Sequence, residues 1–548
     1  MPEKSRPTPR RPARRARLTL TAASLLLLQA APMARADSAG DTISLTPLGS
    51  HATGQFDEGS AEIVVFDPAT SHAFVVNNGA AAIDVIDFSN PSRPVQANRL
   101  SVAAYGKAPN SVALHGGIMA VAVEAPAKNE RGKVVFFTTS GEFLKSVTVG
   151  YLPDMLTFTP DGRTLLVANE GEPMDDYSFD PEGSVSIIDL SGGITGLDQK
   201  SVREAGFAHL TAADLDGSTR IFGPDGTVAQ NLEPEYIAVS PDSRTAWVTL
   251  QENNALAHID IAGARITKVT GLGFKDHSRP GNGIDASDKD DGISIATYPV
   301  LGMYQPDSIA AFSAGGKVYL ITANEGDARD YEKTGGYSEE TRVAKLTLDP
   351  AAFPDAAKLQ EKSVLGRLKV TTANGDTDGD GDYDALYSYG ARSFAIWGAD
   401  GELVYDSGDA LERLSAQHLP GGFNSDNDEN GSFDSRSDDK GPEPEALAVG
   451  EAHGRSLAFV GLERTGGIVV VDIGDPRRPE ILSYINTRDF EGDPKAGTAG
   501  DLGPEGIAFV AAGDSPTGSP LIIVANEISG TTTAYEVTAG TPRQVGQR

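Results

Sequence analysis

The sequence predicts an all-β chain folded as a single β-propeller of four-stranded sheets, and three observations carry that prediction. Apolar runs of four to six residues, bounded by turn residues, recur along the chain with almost no 3.6-residue periodicity between them. They group into a repeated module: a strand, a turn that often holds Asp-Gly or Gly-Gly, a second strand ending in polar residues, then a third strand. Outer fourth strands are clear in places, as at 143–149 and 480–486. Units of this kind repeated radially make a propeller, and an N-terminal strand added to the last sheet hides its open edge.

The first strands fall at 63–66, 112–114, 155–158, 236–239, 309–312, 368–370, 446–449 and 507–510, which counts eight modules. Second strands follow at 73–76, 165–168, 246–250, 318–322, 457–460 and 521–525. Third strands follow at 83–86, 134–137, 185–188, 257–261, 394–397, 468–471 and 533–537. Seven blades result if the weakest module, residues 366–410, is an elaborated loop. The last module has no room for its own fourth strand, so Ile43-Ser44-Leu45-Thr46 is expected to supply it and close the propeller. Long insertions near 191–231, 271–301, 373–386 and 412–442 mark the functional face.

Ahead of the propeller, the basic stretch Arg10 to Arg17 precedes an apolar run from Leu18 to Ala31 and the small-residue site Ala34-Arg35-Ala36. This predicts a secretory signal over residues 1–36, a mature chain that starts at Asp37, and a propeller domain over 37–548 in the periplasm or outside the cell. The export route stays open between the general and twin-arginine pathways. Removing the leader takes away eight bases and one acid and moves the net charge from −31 to about −38. Such a surface repels phosphate backbones, so no nucleic-acid partner is expected. No later apolar run reaches 18 residues, so the mature chain is expected to have no membrane span and to act as a monomer. With no cysteine, a disulfide scaffold and a thiolate nucleophile are both excluded.

The module places acids at two recurrent positions on one face. Second strands end in Glu124, Glu170, Glu252, Glu325, Glu463 and Glu527, and first strands are preceded by Asp154, Glu235, Asp307, Glu445 and Glu505, each after a proline. A ring of carboxylates at one mouth of the channel suits hard divalent cations, which take several oxygen ligands. Capping of repeat turns by the same acids is the structural alternative, and the two are evenly balanced. Arg329, Arg392 and Arg464 fall in the same loops; they would suit a phosphate or carboxylate ligand, or simply pair with the neighbouring acids.

Two loops have calcium-ligand spacing: Asp376, Asp378, Asp380 and Asp384, and then Asp426, Asp428, Asn430 and Asp434, each with glycine at the sixth position. Neither has an acid at position 12 or flanking helices, so they read as calcium loops outside an EF-hand, with a structural role for Ca²⁺. A third cluster, Asp285, Asp288, Asp290 and Asp291, lies near His277, a candidate acid or base. No histidine pair has zinc spacing, and no serine elbow, P-loop or nucleotide-binding glycine fingerprint occurs.

Four segments resemble the choice-of-anchor I family of secreted bacterial propellers: Leu152 to Gly162, Phe274 to His277, Asp376 to Phe394, and Asn424 to Gly441. The resemblance implies the propeller fold and an extracytoplasmic location. Its members are often labelled alkaline phosphatase, which implies a metal-dependent phosphoesterase acting on a small anionic substrate but carries no catalytic residues over; read from the residues themselves, Glu170, Glu325 and Glu527 would hold a second divalent metal and the three arginines would orient phosphate. The other expectation is a non-catalytic, calcium-stabilised binding or surface protein with an extracellular ligand. Turns such as Pro160-Asp161-Gly162-Arg163-Thr164 are similar to those of lactonase-type propellers, a third and weaker expectation. A C-terminal anchor, common in the family, is not expected here.

Overall fold

The computed structural model describes residues 42–224 and 226–540; the expected cleavage after Ala36 lies outside the described residues. Seven four-stranded antiparallel sheets hold 28 of the 33 strands among the described residues. Sheets one to four take consecutive strands: Val64–Asp67 to Val95–Ser101, Pro109–His115 to Phe143–Tyr151, Pro153–Phe158 to Val202–Gly206, and Ile237–Val239 to Arg265–Gly271. Sheet five joins Ile309–Ala314, Lys317–Asn324, Ser393–Gly398 and Leu403–Asp406, and sheet six runs from Pro444–Ala452 to Glu480–Ile485. In sheet seven, Pro504–Val510, Leu521–Asn526 and Thr531–Ala539 are completed by Ile43–Ala52, as expected, with Ile43 opposite Ala539.

The packing follows from strands that are apolar on both faces. Residues such as Leu166, Val248 and Phe459 are fully buried because each sheet has a neighbour on either side. Each pair of successive sheets shares one apolar cluster, and so do the seventh and the first, through Val510, Leu521, Val64 and Ala73. The innermost strands touch in the same order, the seventh against the first. Between sheets four and five, Trp397 packs edge-on against Tyr304 at 5.0 Å and donates to Thr322 Oγ1 at 2.9 Å. Burial of each such large side chain stabilises the fold by roughly 1.5–3 kcal/mol.

The count of eight modules needs correction, because residues 366–410 contain no blade of their own. Lys369–Thr371 pairs with Glu340–Arg342 in a separate two-stranded ribbon, while Ser393–Gly398 is the third strand of sheet five. Leu368 and Val370 are buried in a satellite core with Leu348, Phe353, Leu365 and Leu386, and a run of that length gives the same apolar signal in either setting. Residues 325–392 are therefore one long insertion between the second and third strands of sheet five. Its Tyr387–Ser388 joins Phe274–Asp276 and Leu301–Met303 in a three-stranded sheet, and the helix Ala410–His418 leads into the 419–443 loop.

Candidate cation site at the acidic mouth

Two local devices aim acids into the mouth. In several sheets the second strand ends in a buried asparagine that ties it to the start of the third strand. Asn169 donates to Ser186 Oγ at 3.0 Å and accepts from the Gly150 amide at 2.9 Å, Asn324 donates to Ser393 Oγ at 3.3 Å, and Asn526 donates to Thr531 Oγ1 at 3.2 Å. The next residue, Glu170, Glu325 or Glu527, leaves the strand at a fixed point. In the first strands, the register shifts just after the opening proline at Pro153, Pro444 and Pro504. A bulge there re-aims the following residue, which is Asp154, Glu445 or Glu505. Gly326 and Gly390, both at positive φ, pack backbone to backbone; a Cβ on either would sit 2.0 Å from the other segment, so glycine lets the Glu325 loop press against the bend that carries Arg392.

These devices gather two groups of three carboxylates: Asp307, Glu325 and Glu445, and Glu325, Glu443 and Glu463, each with ligand oxygens within 4.8 Å of one another. Glu325 belongs to both. Lys440 reaches into this site, paired with Glu325 and 3.3 Å from Glu443 Oε2, while Gln251 donates to Glu325 at 3.0 Å. Arg436 at 2.8 Å and Arg464 at 3.3 Å also hold Glu443. Glu445 Oε2 and Glu463 Oε2 are buried without a hydrogen-bond partner, and Glu463 is only 4% exposed. A buried carboxylate oxygen left unpaired costs free energy unless a cation or a proton meets it.

The electrostatics follow from burial. Burial, reinforced by neighbouring acids, pushes Glu62 and Glu252 up to about 8, and burial raises Glu233 to about 7 even though Arg329 opposes it. Burial also raises Asp154 to about 6, and it lifts Glu170, Glu235, Asp307, Glu445, Glu463 and Glu505 well above the ordinary carboxylate range. Glu443 goes the other way: burial works against its ionisation, but Arg436, Lys440 and Arg464 hold it well below the ordinary value. Burial thus holds most acids of the channel mouth toward their protonated forms until a cation meets them, whereas Glu443, where Lys440 and the two arginines enter, stays ionised.

The family model for the choice-of-anchor I domain matches residues 62–476, most of the chain. This chain belongs to the choice-of-anchor I family. Among curated proteins it is similar to Gigasin-3a of Magallana gigas, 34% identical over 194 residues, which is 33% of this chain and 66% of that one. It is also similar to the mesenchyme-specific cell surface glycoprotein of Strongylocentrotus purpuratus, 29% identical over 284 residues, which is 45% of this chain and 35% of that one. The chain therefore spans less than two thirds of either relative's length. Among solved structures, Kuenenia stuttgartiensis hydrazine synthase aligns with a TM-score of 0.45 at 13% identity, over 88% of this chain and 97% of that one. The Cps50 (Swd1) β-propeller domain of Myceliophteria thermophila aligns with a TM-score of 0.43 at 9% identity, over 90% and 100%.

Within this choice-of-anchor I domain, the expected arginines take different roles. Arg392 is buried and bonds Glu412, the Asp285 carbonyl at 2.6 Å, and the Ser437 and Asp439 carbonyls, both at 2.8 Å. It clamps three segments together and has no free fork for a phosphate. Arg329 is equally committed, to Glu233 at 2.6 Å and to the Asn231 carbonyl at 2.8 Å, with its guanidinium 4.6 Å from the Phe222 ring centre. Arg464 alone of the three stays partly exposed, 2.9 Å from Glu463 Oε1. His277 is buried with Nδ1 2.8 Å from the Asn282 carbonyl, and burial beside Lys275 pushes it down to about 3, so it stays neutral and offers no proton at physiological pH.

The two calcium-type loops also part ways. Asp376, Asp378 and Asp384 converge with oxygens within 4.8 Å, and backbone amides of Gly379 and Gly381 brace Asp376; Asp380 lies outside the group. The second loop does not converge. Asn430 Oδ1 accepts from Arg488 at 3.0 Å, Asp426 faces Arg464 at 3.6 Å, and Asp434 accepts from Ser437 at 2.6 Å. Asp434 is buried and raised to about 7, partly by Asp285, Asp288 and Asp290 of the third cluster, which it faces. Asp428 adds its field to Arg488. Lys440 and Glu443 were not foreseen, because they lie in an irregular loop whose path no periodicity encodes.

Proposed function

We propose that this choice-of-anchor I chain is a divalent-cation-binding propeller of the cell exterior, a non-catalytic binding or surface protein whose main cation centre is built around Glu325. The observation that carries the reading is the sharing of Glu325 by two groups of three carboxylates, with the buried oxygens of Glu445 and Glu463 unpartnered. Hard cations such as Ca²⁺ take six to eight oxygens and suit carboxylates gathered at that spacing. Asp376, Asp378 and Asp384 form a second, exposed site of the same chemistry, with Ca²⁺ as its ion. Arg329 and Arg392 support the non-catalytic reading, since their guanidiniums are consumed by the fold.

The predicted leader places the mature chain, 37–548, in the periplasm or outside the cell, and among the described residues no helix is long and apolar enough to cross a membrane. Calorimetric titration of the purified chain with Ca²⁺, Mg²⁺ and Mn²⁺ tests the centre: Glu325→Gln should abolish one binding event and leave the other. Two unchanged events in that variant would remove Glu325 from the site.

A second reading, metal-dependent phosphoester hydrolysis at the same mouth, is favoured by the part-exposed Arg464 beside Glu463 and Glu443. A bound divalent ion would supply Lewis acidity and an activated water there. Arg464 would then orient the phosphoryl oxygens, while Glu170 and Glu527 stand on the same rim. Turnover of an aryl phosphate that needs added metal and falls in Arg464→Ala would establish this reading; no turnover with any metal leaves the binding protein.

A further inference from the structure

A cavity of about 200 Å³ opens beside the Glu325 centre, between sheets three and four and the 325–392 insertion. Its lining includes Glu170, Glu172, Glu252, Asp327, Asp330 and Tyr331. The basic residue in its wall, Arg329, is spent on Glu233. Glu252 is only 8% exposed, and its Oε2 has no hydrogen-bond partner. A buried acceptor at the wall of a polar cavity calls for a donor.

We propose that this cavity binds a small organic cation with more than one ammonium group, a linear di- or triamine. Three observations decide against a single metal ion as its occupant. Among the described residues, the acids of this cavity form no group of three with oxygens within 4.8 Å, whereas those around Glu325 do. The carboxylates are spread over a volume far larger than one dehydrated ion, a spacing that suits charges distributed along a chain. An ammonium already uses this chemistry at the rim, where Lys128 Nζ donates to Glu172 Oε2 at 2.7 Å.

Each ammonium brings three donors and no acceptor, so it can satisfy Glu252 and one neighbouring acid together. Tyr331, its hydroxyl fixed on Glu172 Oε1 at 3.0 Å, presents an aromatic wall of the kind that attracts cations. The net charge of −31 steers such ligands toward the mouth.

The test is calorimetric titration of the full chain with spermidine, putrescine and Ca²⁺ at near-physiological salt. Expected is one spermidine per chain, weakened at least tenfold by Glu252→Gln and by the rim variant Asp330→Asn, with Ca²⁺ binding retained in both. Glu325→Gln should do the reverse, losing a Ca²⁺ event and keeping spermidine. Spermidine binding that both cavity variants leave unchanged would overturn the proposal. So would a stoichiometry of several amines that disappears with salt, which reports diffuse attraction to an acidic surface. Melting curves of each variant identify a folding defect, and because Asp330 lies at the rim, its variant keeps the test valid if Glu252→Gln fails to fold.

Discussion

Lys440 is the resident cation of the Glu325 centre, and replacing it with methionine isolates what its charge does. The lysine and both of its carboxylate partners are nearly excluded from water. Removing one member of a buried ion pair costs about 3–5 kcal/mol, mostly because the partner is left charged and unpaired. Here the loss falls unequally. Glu443 keeps Arg436 at 2.8 Å and Arg464 at 3.3 Å, whereas Glu325 keeps only the neutral Gln251 amide at 3.0 Å as a hydrogen-bond donor. The lower end, about 3 kcal/mol, is therefore expected for Lys440→Met in chelator. Scaled to a chain of this length, that is a fall in Tm of roughly 3 °C.

Divalent cation should return part of it. With the lysine gone, the same oxygens are free for the ion, and at a hundred times Kd the ion stabilises the native state by about 2.7 kcal/mol. Differential scanning calorimetry of wild type and variant, each in chelator and in excess Ca²⁺, measures all four states. The gap between the two proteins should shrink in Ca²⁺, and the variant should bind Ca²⁺ more tightly. A variant as stable as wild type in chelator, or a gap that Ca²⁺ leaves unchanged, would refute the reasoning.

Three further outcomes are expected. Because Glu62 and Glu252 sit near 8 in the native chain and at the ordinary value when unfolded, the native state binds more protons between about pH 4.5 and 8. Stability in chelator should then fall as pH rises through that window, by up to about 1.4 kcal/mol per pH unit for each group; Glu62→Gln should flatten the decline in a melting series from pH 5 to 8.5. Asp378→Ala should remove one calcium-dependent increment of Tm and Asp428→Ala should not, because only the first loop gathers its oxygens. Arg392→Lys, which cannot reach all four of its acceptors, should lower stability by roughly 2–4 kcal/mol in denaturant titration while leaving cation affinity within about twofold.

The architecture was legible because its signal is periodic: a second strand such as Leu521–Asn526 is apolar at every turn of the repeat, and the acid that follows it recurs at the same place. The position of Ile43–Ala52 was legible by elimination, from a last module one strand short. The extra module at 366–410 was miscounted because Leu368 and Val370 are buried for another reason, in the insertion's own core. For the site, Glu325 and its ring mates could be read, while Lys440 and Glu443 could not. Their loop reaches the mouth by a path set through Arg392 and Arg464, contacts to segments outside the loop that leave no local pattern. The arginines were visible as residue types, but whether a guanidinium faces a ligand or three carbonyls depends on those same long-range contacts.

The pairing of Ile43 with Ala539 brings the two ends of the described domain side by side, on antiparallel strands that run away from that point together. Tension applied between the ends would load the ladder one rung at a time, as a zipper is opened, rather than shearing all its hydrogen bonds at once. A domain held by one end feels no such pull across this seam, whereas one tethered at both ends would open here first, and the remaining six sheets would stay folded behind the breach.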